Sequence, residues 1–284
     1  MPMILAKFLD HFEDRLNLRL INSRASDDNT RDYLQNDSER IYYGDSLGEV
    51  TKVAFMVQPQ RELCLEAINS GCDALFSHHR WRPKNAPSPV LKDLDEILKR
   101  RGVHMLSYHL YWDIAQGGLA DNIMTEVFNI PSYEALDLTY RGLAIPDLAR
   151  WAKTTLSFER IKERLEANYI RTERFLGHLD WSFDRLVVIP GGGLENSILT
   201  SLQSRLNYQD SEKIVVISSG SGKDSGVSYL EFFSKYEKNF SIIDVNHYDF
   251  EAIGVGLWAR QLQGELQGVT CNMFYADHYI NYSI

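Results

Sequence analysis

The chain has 284 residues, of which 44% are hydrophobic and 24% charged, so it is long enough for one large domain or two smaller ones with apolar cores. Its net charge of -9 argues against nucleic acid as a partner, because an acidic surface repels phosphodiester backbones. The cysteines form no CxxC pair, the first residues do not resemble a signal peptide, and no apolar run is long enough to span a bilayer. We therefore expect a cytoplasmic protein without a membrane partner.

The first half of the chain predicts a helix, a loop and then alternating strands and helices. Apolar residues recur at helical spacing over residues 3–20, whereas residues 22–46 are polar and predict a loop with at most a short helix. The next predicted strands cover residues 52–57, 74–77 and 103–108, and the predicted helices cover residues 61–70, 90–101 and 119–128. This alternation predicts a mainly parallel sheet with helices on both faces.

The second half predicts a connector followed by another alternating region. Residues 132–184 are interpreted as a helical connector or cap, with helices over 145–155 and 158–168. Further strands are predicted at residues 185–189, 213–217, 241–245 and 269–275, with helices at 194–206, 227–236 and 250–266. The sequence thus predicts an α/β protein with an N-terminal lobe (1–131), a connector (132–184) and a C-terminal lobe (185–284).

Polar side chains collect where predicted strands end. Ligands of parallel α/β sheets bind outside the carboxyl ends of the strands, so side chains that follow these ends are candidates for a site. The candidates are His78 and His79 after residues 74–77, His109 and Asp113 after residues 103–108, and His247 and Glu251 after residues 241–245. A His-His pair alone is more often structural, but three such strand ends together favour a metal site.

The candidate residues have the chemistry of metal ligands. His247 and Glu251 are four residues apart at a predicted helix start, which places them on one face as a chelating pair. Nitrogen and oxygen ligands without sulfur suit zinc, iron, manganese or cobalt and do not distinguish them. The sequence predicts two divalent ions held by His78, His79, Asp113, His247 and Glu251. His109 is predicted to be a catalytic acid or base, or to orient Asp113.

Two glycine turns, at residues 190–193 and 218–225, precede predicted helices. Such turns can bind phosphate, but neither is a Walker A loop, because Ile217 occupies the first glycine position and Asp224 follows the lysine. Ordinary turns that need a positive φ are favoured at both places.

Taken together, these motifs resemble those of the dinuclear-metal-centre family of GTP cyclohydrolase 1 type 2 homologues, the Nif-three-like proteins. The matching elements are Ser77-His78-His79, Tyr108-His109-x-x-x-Asp113, residues 117–122, residues 186–193 and His247-x-x-x-Glu251. Arg80 stands where the family usually has proline after its His-His pair. The resemblance implies two linked α/β lobes with mainly parallel sheets, a di-metal site in the cleft between them, the same five ligands, and assembly as a ring-shaped homohexamer.

The leading functional expectation is a metal-dependent hydrolase that acts on a nucleotide or a related small molecule. In the GTP cyclohydrolase-like form, metal-activated water attacks the purine imidazole carbon, and Arg80 neutralises a phosphate. The alternative is a non-catalytic metal-binding assembly or regulatory protein. A third interpretation is that residues 221–225 resemble the pyrophosphatase loop of ATP-dependent ligases and sulfur transferases.

Overall fold

The computed structural model describes residues 3–25, 27–37, 39–41, 48–80, 89–220 and 225–275. The helices are α1 (Leu5–Leu16), α2 (Leu18–Arg24), α3 (Asp28–Asn36), α4 (Arg61–Asn69), α5 (Pro89–Arg101), α6 (His109–Ile114), α7 (Leu119–Asn122) with a π-helical continuation (Ile123–Val127), α8 (Phe158–Ala167), α9 (Asn196–Arg205), α10 (Ser225–Tyr236) and α11 (His247–Glu265). The strands are β1 (Met3–Ile4), β2 (Glu39–Ile41), β3 (Glu49–Val50), β4 (Lys52–Met56), β5 (Ala74–Ser77), β6 (His104–Ser107), β7 (Glu134–Tyr140), β8 (Leu143–Lys153), β9 (Thr172–Leu176), β10 (Arg185–Val188), β11 (Ile214–Ser218), β12 (Phe240–Val245) and β13 (Thr270–Met273). The predicted α/β class is confirmed.

The chain forms two compact units, each assembled from segments that are distant in sequence. The first unit comprises Met1–Arg19, Asp32–Trp112 and Val255–Ile284. The second unit comprises Leu20–Arg31 and Asp113–Gly254. None of the helices in the described residues combines the length and apolar character needed to cross a bilayer.

The first unit is built on a sheet with the strand order β13-β4-β5-β6-β2. All its neighbouring pairs are parallel except that of the edge strand β2, which runs antiparallel to β6. Every residue of β5 and β6 is buried, the pattern expected of parallel strands whose two faces are covered. Ser77 and Ser107, the last residues of these two strands, are register partners. The residues that follow them therefore leave the sheet at the same edge.

An aromatic cluster forms the core on one face of this sheet. Helix α1 buries Phe8, Phe12 and Leu16, which recur every four residues and so lie along one helix face. The Phe12 ring lies 4.9 Å from that of Phe76 on β5 and 4.3 Å from that of Trp258 on α11. The amphipathic helix predicted near the start of the chain is confirmed, and its apolar face explains why it packs against the strands.

The second unit contains a mixed sheet with the strand order β7-β8-β10-β11-β12-β9. The strands β10, β11 and β12 are parallel and form its centre, while β7, β8 and β9 pair antiparallel to their neighbours. The central strands are almost entirely buried. Their carboxyl ends lie side by side, because Val188 pairs with Ile217 and Ser218 pairs with Asp244.

The helix predicted over residues 145–155 is wrong, because this segment belongs to strand β8. Its buried apolar residues are Ile145, Leu148, Ala149 and Ala152, a spacing that also fits a helix face. Asp147 has a φ of 54°, and the register with β7 shifts between Leu136 and Leu138. This irregularity interrupts the alternation of a regular strand, so the local pattern imitates a helical period.

Two further segments differ from the predicted layout. The region predicted as a loop contains α3, a helix of nine residues, in which Thr30 N donates a 2.8 Å hydrogen bond to the preceding Asp27 side chain. The last strand, β13, pairs in parallel with β4 of the first unit instead of joining the sheet of its sequence neighbours. The other predicted helices and strands are confirmed, with bounds that shift by a few residues.

Candidate metal centre

His78 and His79 are held at the end of β5 by backbone hydrogen bonds. His78 N donates to Met56 O and His79 N donates to Val57 O, each at 2.9 Å, so the pair continues the sheet alongside β4. Ser107 Oγ donates to His78 O at 2.9 Å and ties the pair to β6 as well. His78 is completely buried. A rigid backbone therefore positions two adjacent imidazoles.

A third imidazole joins them from the first turn of α6. The ring centroids of His78 and His79 are 4.9 Å apart, those of His78 and His109 are 4.8 Å apart, and those of His79 and His109 are 4.9 Å apart. The three rings thus form a nearly equilateral triangle. The Trp112 ring packs edge-on against His78 at 5.0 Å. Three imidazoles gathered at this spacing suit the binding of a shared cation.

Asp37 orients His109. Its Oδ2 lies 2.7 Å from His109 Nδ1 and accepts a second hydrogen bond from Leu110 N at 3.2 Å. Burial by itself raises the pKa of the Asp37 carboxyl. The hydrogen bond and charge of His109 and the hydrogen bond from Leu110 N lower this pKa by more, so it lies below its usual value. The carboxylate therefore accepts a hydrogen bond from His109 Nδ1–H, which leaves the lone pair of Nε2 available to a cation. Sequence reasoning missed Asp37 because it lies in the segment predicted as a loop.

His247 and Glu251 form the predicted i, i+4 pair at the start of α11. His247 Nε2 lies 2.9 Å from Glu251 Oε1, and the Glu251 side chain is fully buried. His247 Nδ1 lies 2.7 Å from Ser219 Oγ, which donates its own proton to Gly191 O. Since a hydroxyl has one proton, the nitrogen must donate to Ser219, and a neutral ring then turns a lone pair toward a carboxylate. A proton or a metal cation removes this repulsion, so the pair fits a cation.

These residues meet in one ligand-rich group. His78, His79, His109 and Glu251 each offer a ligand atom, and these atoms all lie within 4.8 Å of one another. The group contains three of the five predicted ligands, together with His109, the predicted catalytic residue. Imidazole nitrogens and a carboxylate oxygen fit zinc, iron, manganese or cobalt. Among the described residues this group contains no cysteine. The three cysteines are buried, and burial raises the pKa of Cys64 and Cys271 to about 12 and that of Cys72 to about 11.

The other two predicted ligands, Asp113 and His247, are not in this group of four among the described residues. Both lie next to the glycine turn that follows β10. A Cβ atom on Gly191 would lie 3.6 Å from Asp113 Oδ2, and Gly191 O accepts the Ser219 hydrogen bond that supports His247. Asp113 is also buried, at 3% exposure. The five-ligand set remains a prediction.

The family can now be identified. The chain matches the family model described as Duf34/NIF3 (NGG1p interacting factor 3) over residues 29–279. The chain belongs to the Duf34/NIF3 family. This confirms the resemblance that the histidine and carboxylate motifs predicted.

Several solved structures share the fold of this Duf34/NIF3 chain. Reduced HcgD from Methanocaldococcus jannaschii has a TM-score of 0.70 and 20% identity, with coverage of 97% of this chain and 99% of that one. A Bacillus cereus protein related to NIF3 has a TM-score of 0.70 and 12% identity, covering 100% and 99%. Staphylococcus aureus protein SA1388 has a TM-score of 0.70 and 15% identity, covering 100% of both chains. Among proteins of curated function, no sequence matches this chain.

The first glycine turn of this Duf34/NIF3 chain supports the site through its backbone. Gly191 has a φ of 59°, which confirms the expected positive φ. A Cβ atom on Gly193 would lie 2.4 Å from Ile189 Cγ2 and 2.5 Å from Ser218 Oγ, so this position must also be glycine. In the second turn, Gly220 N donates to Asp244 Oδ1 at 2.9 Å. The pyrophosphatase-loop motif covers residues 221–225, of which residues 221–224 lie outside the described residues.

A buried ion pair in the second unit supports the end of α6, the helix that carries His109 and Asp113. Arg150 pairs with Asp121, and both side chains are at most 5% exposed. Arg150 also donates to Ile114 O at 2.9 Å, while Asp121 accepts a 2.6 Å hydrogen bond from Gly117 N. The pair thus fixes the backbone just after Asp113. The sequence does not predict this pair, since Arg150 lies in the segment predicted as a connector helix.

Arg80 is held by the end of α3. It donates a 2.6 Å hydrogen bond from Nη1 to Asn36 O, the residue before Asp37. One nitrogen of the Arg80 guanidinium is therefore already bonded to a backbone carbonyl. The phosphate-neutralising role of Arg80 remains a prediction. The carbonyl of Asn36 and the carboxylate of Asp37 therefore both connect α3 to the segments that carry the imidazoles.

Proposed function

We propose that this chain is a dinuclear-metal-binding protein and a metal-dependent hydrolase that acts on a nucleotide or a related small molecule, in the manner of a GTP cyclohydrolase. The observation that carries the proposal is the convergence of His78, His79, His109 and Glu251 within 4.8 Å. Such a concentration of imidazoles beside a buried carboxylate suits divalent cations. Membership of the Duf34/NIF3 family is in keeping with metal binding.

The proposed ligands are the five residues predicted from the sequence, with His109 added. His109 enters because it belongs to the group of four and because Asp37 leaves its Nε2 as a donor atom. Glu251 is suited to a shared position, since its carboxylate lies in the group and also 2.9 Å from His247 Nε2. The general acid or base role predicted for His109 requires this same nitrogen, so the two roles compete.

The chemistry follows from the donor set. When bound, divalent cations polarise an electrophilic group and lower the pKa of water, which makes hydrolysis possible near neutral pH. The chain itself orients two imidazoles, through Asp37 and through Ser219, and keeps the Glu251 carboxylate away from solvent. A local cationic centre also attracts an anionic nucleotide despite the net charge of -9.

The test begins with protein purified without a polyhistidine tag and stripped of metal with a chelator. Samples reloaded separately with zinc, iron, manganese or cobalt are incubated with GTP and other nucleotides, and products are separated and weighed by mass spectrometry. We expect at least one metal to support conversion of a nucleotide either to a ring-opened product that is heavier by one water, or to two products whose masses add up to the nucleotide plus one water. The His247→Ala variant should fall to the background rate, because it removes a ligand next to Glu251.

His11→Ala is the matched control, since His11 is an exposed histidine bound to Glu265 at 3.2 Å, outside the group of four. It should turn over nucleotides like the unmodified protein. Failure of every metal to support turnover, or a rate that His247→Ala leaves unchanged, contradicts the hydrolase. Metal binding that merely raises thermal stability would then favour the alternative, a non-catalytic assembly or regulatory protein.

The family resemblance also supports a homohexamer as the proposed assembly. Light scattering of the metal-loaded and metal-free samples measures the mass in solution and shows whether metal contributes to assembly. If both samples have the mass of one chain, the hexamer is ruled out.

A further inference from the structure

The end of α3 is tied to the histidine group by side chains from two different segments. Asp37 Oδ2 accepts hydrogen bonds from His109 Nδ1 at 2.7 Å and Leu110 N at 3.2 Å. One residue earlier, Asn36 O accepts a 2.6 Å hydrogen bond from Arg80. Arg80 directly follows His79, and Leu110 directly follows His109. Asn36 at the end of α3 therefore contacts the segment that carries His79, and Asp37 just after it contacts the segment that carries His109.

The Asp37 contact differs from an ordinary surface ion pair. The Asp37 side chain is 20% exposed and that of His109 is 30% exposed, so water screens the hydrogen bond only in part. The second bond, from Leu110 N, fixes the carboxylate oxygen against the first turn of α6. A carboxylate held in this way sets the ring orientation of the imidazole, keeps the proton on Nδ1 and makes Nε2 more basic.

We propose that Asp37 is a positioning residue that orients His109 toward a bound divalent cation and strengthens cation binding. This inference rests on the proposed metal site. Asp37 acts through His109 and does not itself contact the cation. The α3 segment is therefore part of the metal centre, and its sequence influences metal affinity even though none of its residues belongs to the group of four.

The test compares Asp37→Ala and Asp37→Asn with Asp32→Asn, which changes an exposed carboxylate on α3, the helix that ends just before Asp37. Cobalt affinity is measured by competition with a chelator, the visible spectrum of bound cobalt reports the ligand environment, and thermal unfolding of metal-free protein reports folding. We expect Asp37→Ala to weaken cobalt binding by about 10- to 100-fold, the usual cost of losing such a partner, and to alter the spectrum. Asp37→Asn should lose less affinity, since its amide oxygen can still accept the hydrogen bond from His109 Nδ1–H. Asp32→Asn should match the unmodified protein.

The outcomes separate this inference from the hydrolase proposal. If Asp37→Ala and Asp37→Asn fold and bind cobalt with unchanged affinity and spectrum, the positioning role is wrong, whatever the turnover. If unmodified protein binds cobalt but hydrolyses nothing, the hydrolase proposal fails, and the affinity loss in the Asp37 variants still supports the positioning role. If unmodified protein binds no cobalt, zinc, iron or manganese, both are overturned. Should Asp37→Ala not fold, Asp37→Asn decides alone.

Discussion

The parallel strands of the two units end in different chemistry. In the first unit, β5 and β6 lead directly into His78, His79 and His109, and backbone hydrogen bonds hold the histidine pair against β4. In the second unit, β10 and β11 lead into a glycine turn and a serine, and only β12 leads into an imidazole, His247. The same rule, that functional groups lie beyond the carboxyl ends of parallel strands, thus provides candidate ligands in one sheet and mostly supporting groups in the other.

The imidazoles of the two units are also oriented by different kinds of side chain. His109 is oriented by the carboxylate of Asp37, whereas His247 is oriented by the hydroxyl of Ser219, which itself donates a hydrogen bond to Gly191 O. Charge-assisted hydrogen bonds are roughly twice as strong as neutral ones. The His247 side chain is also 31% exposed, where Glu251 beside it is fully buried. We therefore expect the second unit to tolerate loss of its histidine support better than the first.

The largest expected effect comes from the buried ion pair of the second unit. Arg150→Met leaves the Asp121 carboxylate buried without its partner, which we expect to lower the free energy of unfolding by about 3–5 kcal/mol. Urea denaturation followed by circular dichroism measures it. Arg160→Met is the control, because Arg160 and Glu163 form an exposed pair, and it should change nothing measurable. Equal effects of the two variants would show that support of α6 by Arg150 is unimportant.

A smaller effect is expected in the glycine turn. Gly193→Ala places a Cβ atom 2.4 Å from Ile189 Cγ2 and 2.5 Å from Ser218 Oγ, and such crowding typically costs about 1–3 kcal/mol of unfolding free energy. Gly264→Ala in α11 meets nothing within 4 Å and should be slightly stabilising, since alanine favours helix. Thermal unfolding of both variants gives the comparison. A Gly193→Ala variant as stable as the unmodified protein would show that the turn accommodates a Cβ atom at this position.

The smallest expected effect tests the contrast between the two histidines directly. Ser219→Ala removes the hydroxyl that orients His247, and we expect cobalt affinity to fall only several-fold, in line with about 1 kcal/mol for a neutral hydrogen bond. This loss should be smaller than that of Asp37→Ala in the same chelator competition. Ser234→Ala, at an exposed helix serine, controls for loss of a hydroxyl. If Ser219→Ala loses as much cobalt affinity as Asp37→Ala, the expected difference between the supports of the two histidines is contradicted.

Local patterns predicted most of the elements but failed where long-range pairing changed them. The buried strands β5 and β11 are predicted by runs of three and four apolar residues between turn residues. Strand β8 was mistaken for a helix because its irregular backbone at Asp147 shifts the alternation of buried residues. Helix α3 was underestimated, although Asp27 before it carries a capping signal. For β8 the deciding hydrogen bonds join residues that are distant in the chain, whereas the capping signal of α3 is local.

By itself, the sequence determined the α/β class, the family resemblance, the positions of His78 and His79 after a strand, and the i, i+4 relation of His247 and Glu251. These features depend on neighbours in the chain, so spacing is enough to predict them. Only the tertiary structure decided that His109 joins the group of four, that Asp37 and Ser219 orient imidazoles, and that β13 pairs with β4. The physical reason is that hydrogen-bond partners and strand neighbours depend on how distant segments pack, which the periodicity of a single segment does not encode.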